Sequence, residues 1–262
     1  MRVAAGQAAS VSGDLDANVR QAARLTDLAA GQDVRLLVLP EAFLTGYDVA
    51  AFDGPLPDAG DLDGSWLDPL RSAAAPGVTV VVGTALRRDG ARRLSQVVVR
   101  PDGTATAPYD KQHLDGLEKS TFTTGDHGAS IIVDGHQLGL SICYDGCFPE
   151  HAQAAALDGA VGYLSSAAYF PGGAHRRDLY YAARALENGM YVVFSGLTGR
   201  CGDLEFIGGS AVYDPEGRPI ARLDDEEGLA IADLDVELVA QTRATHTMTS
   251  DHRPSLGERT YS

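Results

Sequence analysis

Three ionisable side chains stand where an apolar run of the chain ends: Glu41 after "VRLLVLP", Lys111 in "APYDKQHL", and Cys143 at the close of "QLGLSIC". The carboxyl ends of buried strands are where α/β proteins place ligands and catalysis. Taken singly, each residue has an ordinary explanation: a solvated loop carboxylate, a surface ion pair beside Asp110, a small buried hydrophobe. Taken together they are chemically complementary. A cysteine attacks as thiolate and needs a base for its proton. A sequestered carboxylate can take that proton and return it to a leaving amine, and an ammonium can hold an oxyanion. "FPEHAQAAAL" opens a helix just after Cys143, so the thiol falls at a strand–turn–helix junction, the logic of a nucleophile elbow without its usual glycine–serine sequence.

The neighbourhood of Cys143 allows other chemistry. Cys143, Cys147 and His151 form a C-x₃-C-x₃-H arrangement, but structural zinc wants a second ligand pair, and the chain offers none. A C-x₃-C redox pair is open to oxidation, as a vulnerability of a reactive thiol and not as the protein's task. His113, His127 and His151 are candidates for a Cys–His pair, and none has a persuasive local setting.

The elements that must position these residues follow from hydrophobic periodicity. Val3 to Ala8 reads as a strand, Asp14 to Ala30 as an amphipathic helix, and Val34 to Glu41 as a strand covered on both faces. A short helix is expected around Trp66 to Ala75, then strands Val78 to Leu86 and Leu94 to Arg100, with "RPDG" as a turn. Strands Ala129 to Val133 and Gln137 to Cys143 are joined by "DGH" as a hairpin. Helix Pro149 to Leu157, strand Val161 to Ser166, helix His175 to Glu187 and strand Tyr191 to Phe194 follow. "GGSAVYDPEGRPIARL" reads as strand, turn, strand, and Leu229 to Leu234 as one more strand. This alternation predicts a layered α/β fold, without deciding between one sheet and two.

The bulk properties agree. The chain has 262 residues, 44% hydrophobic, enough for one sizeable domain, expected over 1–262 with a polar C-terminal arm from about 241. Lys and Arg number 21 against 36 Asp and Glu, a formal charge of −15, which argues against nucleic acid or an anionic membrane as partner. No stretch reaches the ~20 apolar residues of a membrane span, and the amino terminus reads as a first strand instead of a signal peptide. Three cysteines cannot all pair, which points to a reducing cytoplasm.

Five ordered blocks carry a family resemblance. "LVLPEAFLTGY", "YDKQHL" and "SICYDGCFPE", followed by "ARALENGMYVVFSG" and "GGSAVYDPEGRPI", are similar in order and spacing to the signature blocks of the nitrilase superfamily of carbon–nitrogen hydrolases. The resemblance runs from the first strand to about Leu234 and implies a four-layer α-β-β-α sandwich. It implies Glu41 as general base and acid, Lys111 as the oxyanion-side cation, Cys143 as nucleophile, and Glu118 as a second glutamate orienting lysine and substrate. It further implies the Tyr144 backbone N–H as oxyanion donor, Tyr47 as a substrate-binding residue, no metal, no organic cofactor, and a homodimer or higher homo-oligomer.

"FPE" after the nucleophile and the compact length resemble the amidase and carbamoylase branches more than true nitrilases. The expected substrate is the amide of a small linear carboxylic acid, with N-carbamoyl hydrolysis as the alternative. Nitrile hydrolysis, or a catalytically silent binding subunit, ranks lower. Arg176 and Arg177 are candidates for a substrate carboxylate, as arginines nearby are in carbamoylase-type relatives. Two positions depart from the family pattern: Cys147, where many relatives carry arginine or another polar or bulky residue, and Gly196, where many carry asparagine.

Overall fold

The computed structural model describes residues 1–261 as two six-stranded sheets packed face to face, with helices on both outer faces. The first sheet has the order β14-β1-β2-β3-β4-β5. Its strands are β1 (Arg2–Gln7), β2 (Leu36–Val38), β3 (Thr79–Arg88), β4 (Ala91–Val99), β5 (Ala105–Asp110) and β14 (Gly228–Asp233). The second sheet has the order β13-β12-β9-β8-β7-β6. It is built from β6 (Ser130–Val133), β7 (His136–Ile142), β8 (Gly162–Ala167), β9 (Tyr191–Gly196), β12 (Ala211–Tyr213) and β13 (Pro219–Arg222). A separate hairpin joins β10 (Thr198–Cys201) to β11 (Leu204–Ile207).

Side-chain alternation explains why the inner strands read as unbroken apolar runs. Val3, Ala5, Leu36, Val38, Val81 and Val98 point between the sheets and meet Leu138, Leu140, Leu164 and Val193 there. Their neighbours Ala4, Leu37, Val80 and Val82 point the other way, against helices α1 (Leu15–Ala30) and α3 (Asp68–Ala74). On the opposite outer face, α4 (Pro149–Leu157) and α5 (Ala174–Asn188) cover Tyr163, Val192 and Phe194. The expected four-layer sandwich is therefore present, and the choice between one sheet and two falls to two. A short helix, α2 (Val49–Asp53), follows the Glu41 loop. Among the described residues no helix is long and apolar enough to cross a membrane.

Element boundaries moved for local reasons. The strand expected over Val34 to Glu41 is regular only for Leu36–Val38. Leu39 still donates to the Val81 carbonyl, but Pro40 has no N–H and Ala42 turns to φ +47°. The arm expected from about 241 begins inside α6 (Val236–Thr245), which Asp235 caps and Arg243 ties to the Asn188 and Ala160 carbonyls. Only Val239 and Thr242 of α6 are buried, so no amphipathic stripe announced it.

Strand direction brings the reactive residues to one end. β1, β2 and β3 run parallel, and β5 regains their direction through two antiparallel steps by way of β4. β7, β8 and β9 are parallel in the second sheet. Glu41 follows β2, Lys111 follows β5, Cys143 follows β7 and Ala168 follows β8.

Candidate active site

Glu41 sits on a tight turn wedged against β3. A Cβ at Gly83 would collide with the Pro40 carbonyl oxygen and stand 2.6 Å from Glu41 Cα, so only glycine lets the strand pass this closely. Lys111 is fixed by its N–H to the Leu94 carbonyl and by its own carbonyl to Gly125 N–H. Cys143 follows β7 and begins a 3₁₀ turn, with its backbone in the left-handed region at φ +43°.

These three meet in the interior. Lys111 Nζ donates to Glu41 Oε1 and to Glu118 Oε1, both at 2.6 Å, and all three side chains are buried. Glu118 comes from a 3₁₀ turn, Gly116–Glu118, and is fully occupied: Oε1 also accepts the Tyr47 hydroxyl at 2.6 Å, and Oε2 accepts Asp115 N–H at 2.8 Å. Glu41 is only half occupied, because its Oε2 is buried without a hydrogen-bond partner. The Cys143 thiol is close enough to influence the Glu41 carboxyl and donates at 3.6 Å to the Ala168 carbonyl.

Two carboxylates sharing one ammonium leave a buried excess of one negative charge. Burial, opposed by Lys111 and reinforced by Glu118, pushes the Glu41 carboxyl up to about 8. Burial and the Glu41 charge push the Cys143 thiol well above its ordinary value, with Lys111 pulling the other way. Lys111 is pushed up: burial works against its charge, and the Glu41 and Glu118 carboxylates outweigh burial. Once Glu41 is ionised the arrangement is thus a neutral thiol beside a carboxylate of raised basicity, which suits proton removal in step with attack.

The thiol opens onto a cavity of about 180 Å³ lined by Tyr47, Tyr144, Cys147, Tyr169 and Arg176, with Asp115 and Tyr180 also on its wall. Tyr47 and Arg176, expected as substrate-binding residues, thus line this cavity. Arg177 does not. Its guanidinium is buried against the Gly208 and Ile207 carbonyls and Asp178, because it lies one helical position round from Arg176 and faces the core. Cys147 is a cavity wall residue, 3.9 Å from the Tyr169 hydroxyl. His151 turns both ring nitrogens to the Tyr109 and Tyr163 hydroxyls, and His113 turns Nδ1 to Asp145, so neither ring pairs with the thiol. His127 bonds Asp126 on an exposed segment. Gly196 also has a reason: a Cβ there would stand 2.6 Å from the Gly208 carbonyl oxygen.

Sequence reasoning missed Tyr169, Phe170 and Tyr180. The signal was available, because "AAYFPGG" follows the end of β8 as Cys143 follows β7. It also missed the hairpin β10–β11, whose Phe206 meets Tyr47 edge-on at 5.7 Å and Phe170 at 5.3 Å, backing the cavity wall.

Comparison with known proteins agrees with this geometry. A family model described as carbon-nitrogen hydrolase matches residues 2–244. The chain is similar to the (R)-stereoselective amidase of a Pseudomonas species, 34% identical over 265 residues, covering 99% of this chain and 94% of that protein. It is similar to 2-oxoglutaramate amidase of Bacillus subtilis (strain 168), 33% identical over 225 residues, covering 84% and 86%. Among solved structures it resembles the amidase of Nesterenkonia sp. AN1, seen in a mutant with acrylamide added at the active-site cysteine. That match has a TM-score of 0.82 at 29% identity, over 94% of this chain and 98% of that one. The chain belongs to the carbon–nitrogen hydrolase family. Within it, the protein is an enzyme of the amidase type.

Proposed function

We propose that the protein hydrolyses the amide of a small linear carboxylic acid, through a cysteine thioester, to the acid and ammonia. The observation that carries this reading is the unpaired Glu41 Oε2 beside Cys143, with Oε1 pinned by Lys111, at the end of a cavity of about 180 Å³. Sites for drug-sized ligands measure roughly 300–1,000 Å³, so this one suits a small acyl group.

Glu41 takes the thiol proton as Cys143 attacks the amide carbon. Lys111 Nζ and the Tyr144 N–H hold the tetrahedral oxyanion. Glu41 passes its proton to the departing nitrogen, and ammonia leaves a thioester on Cys143. Glu41 then deprotonates water, which attacks the thioester carbonyl; the acid departs and the thiol regains its proton. Glu118, held by Tyr47 and Asp115, keeps Lys111 aimed at the reaction centre.

Arg176 lines the cavity and makes no ion pair among the described residues, which favours substrates with a carboxylate remote from the amide. The relatives named 2-oxoglutaramate amidase and omega-amidase accord with such an ω-amide. The same arginine would serve an N-carbamoyl amino acid. A panel of linear amides and N-carbamoyl compounds, followed by ammonia and CO₂ release with Cys143→Ala as control, tests both. Ammonia with carboxylic acid and no CO₂ is expected; CO₂ release would transfer the reading to carbamoyl hydrolysis.

The reading extends to a homodimer or higher homo-oligomer in a reducing cytoplasm, supported by three free thiols and by exposed Leu157, Leu179 and Leu186 on α4 and α5. Light scattering at assay concentration checks the assembly: a monomer would sink it.

A further inference from the structure

A polar chain behind the Cys143 turn takes no part in the chemistry above, yet its protons can be placed one by one. Asp145 lies two residues after the nucleophile and is buried. Its Oδ2 accepts the Tyr109 hydroxyl at 2.6 Å and the Ile142 N–H at 3.1 Å. Its Oδ1 accepts the His113 N–H and His113 Nδ1–H, both at 2.9 Å. Burial works to raise this carboxyl, but the His113 and Tyr109 bonds oppose it and the carboxyl lies below the ordinary carboxylate value.

An ionised carboxylate only accepts, so the single proton of Tyr109 is committed to Asp145. His151 Nε2 lies 2.8 Å from the same hydroxyl oxygen and must therefore be the donor. Burial lowers His151 below its ordinary value, against Asp145 and Glu150 and with help from His113, so the ring is neutral near pH 7 and Nδ1 is an acceptor. The Tyr163 hydroxyl, 2.8 Å from Nδ1, supplies that donor. Every proton then points one way: from Tyr163 to His151, from His151 to Tyr109, from Tyr109 to Asp145.

The carboxylate at the end of this chain grips two catalytic segments. Ile142 immediately precedes Cys143, and His113 lies two residues after Lys111. Cys143 is held at φ +43°, a strained conformation for a non-glycine residue, which persists only when its surroundings enforce it. We propose that Tyr109, His151 and Tyr163 are positioning residues that act through Asp145 to fix Cys143 against Lys111, with His151 locked as its Nε2–H tautomer. The proposal rests on Cys143 being the nucleophile.

The test joins ¹⁵N NMR of histidine-labelled enzyme with the variants Tyr109→Phe and Tyr163→Phe. The His151 ring should show a protonated Nε2 and an unprotonated Nδ1 at pH 7. Tyr109→Phe removes one donor from Asp145 and should lower kcat about tenfold with KM unchanged, the cost of one buried hydrogen bond expressed at the reaction centre. The rate of Cys143 alkylation by iodoacetamide, read by mass spectrometry, should fall with kcat, and Tyr163→Phe should do the same more weakly. An Nδ1–H tautomer or an imidazolium at pH 7 overturns the proposal, as does a Tyr109→Phe enzyme with unchanged kcat or with a change in KM alone. The NMR result on the unaltered protein decides the matter if either variant fails to fold. Should Cys143→Ala retain activity, the nucleophile assignment fails on its own, whatever the tautomer.

Discussion

The proposed chemistry turns on Glu41 as the base, a carboxylate left short of partners. Glu41 acts as base only when ionised, and its raised value, about 8 against an ordinary 4.5, moves the acid limb of activity upward. kcat/KM should fall as pH drops through that raised value, well before the ordinary carboxylate range, and a pH–rate profile reads this directly. The Cys143 thiol is raised too, so the limb reports Glu41 and not thiolate formation. Glu118 adds to the upward push on Glu41. Glu118→Gln should therefore shift the acid limb to lower pH while kcat falls, because Lys111 loses one of its two carboxylate partners. Glu41→Gln should cost about 10²–10⁴ in kcat/KM, the usual worth of a positioned general base, with the fold intact by circular dichroism.

At the scale of elements, the least conspicuous piece carries a large share of the cavity. Hairpin β10–β11 belongs to neither sheet, yet Phe206 is buried against Tyr47 and Phe170. Phe206→Ala should lower stability by about 3–5 kcal/mol, as large-to-small core changes do, and raise KM through the loosened Tyr47 wall; calorimetry and steady-state kinetics check the two effects separately. The hairpin was illegible in the sequence because Thr198–Ile207 mixes two glycines and three charged residues and lacks sustained alternation. The strands of both sheets were legible because burial on two faces writes continuous apolar runs. Glu41 and Cys143 stand out because each closes such a run, whereas Lys111 follows the half-buried ATAPYD of β5 and stands out only beside the other two. Arg177 misled because adjacent arginines on a helix point in different directions, and sequence adjacency does not say which one meets the core. The Asp145 network was invisible for a related reason: its members come from β5, β7–α4 and β8, and only the fold brings them together.

At the scale of the molecule, the sheets contribute unequally to the site. Glu41, Lys111 and Glu118 come from the first sheet and its loops, Cys143 and Ala168 from the second. Strand β14 then crosses back to pair with β1, so the final part of the chain completes the sheet that the first part began. Neither half of the sequence holds the whole proposed set of groups, and the first sheet is not finished by the first half alone, because β14 lies in the second. Separately expressed fragments 1–127 and 128–262, divided in the exposed segment before β6, should each be inert and regain turnover on mixing, in proportion to complex formed. Turnover by either fragment alone would contradict this division. The layering thus makes catalysis a coincidence detector: the enzyme reports, through its own product, that two separately incomplete sets of groups have found each other.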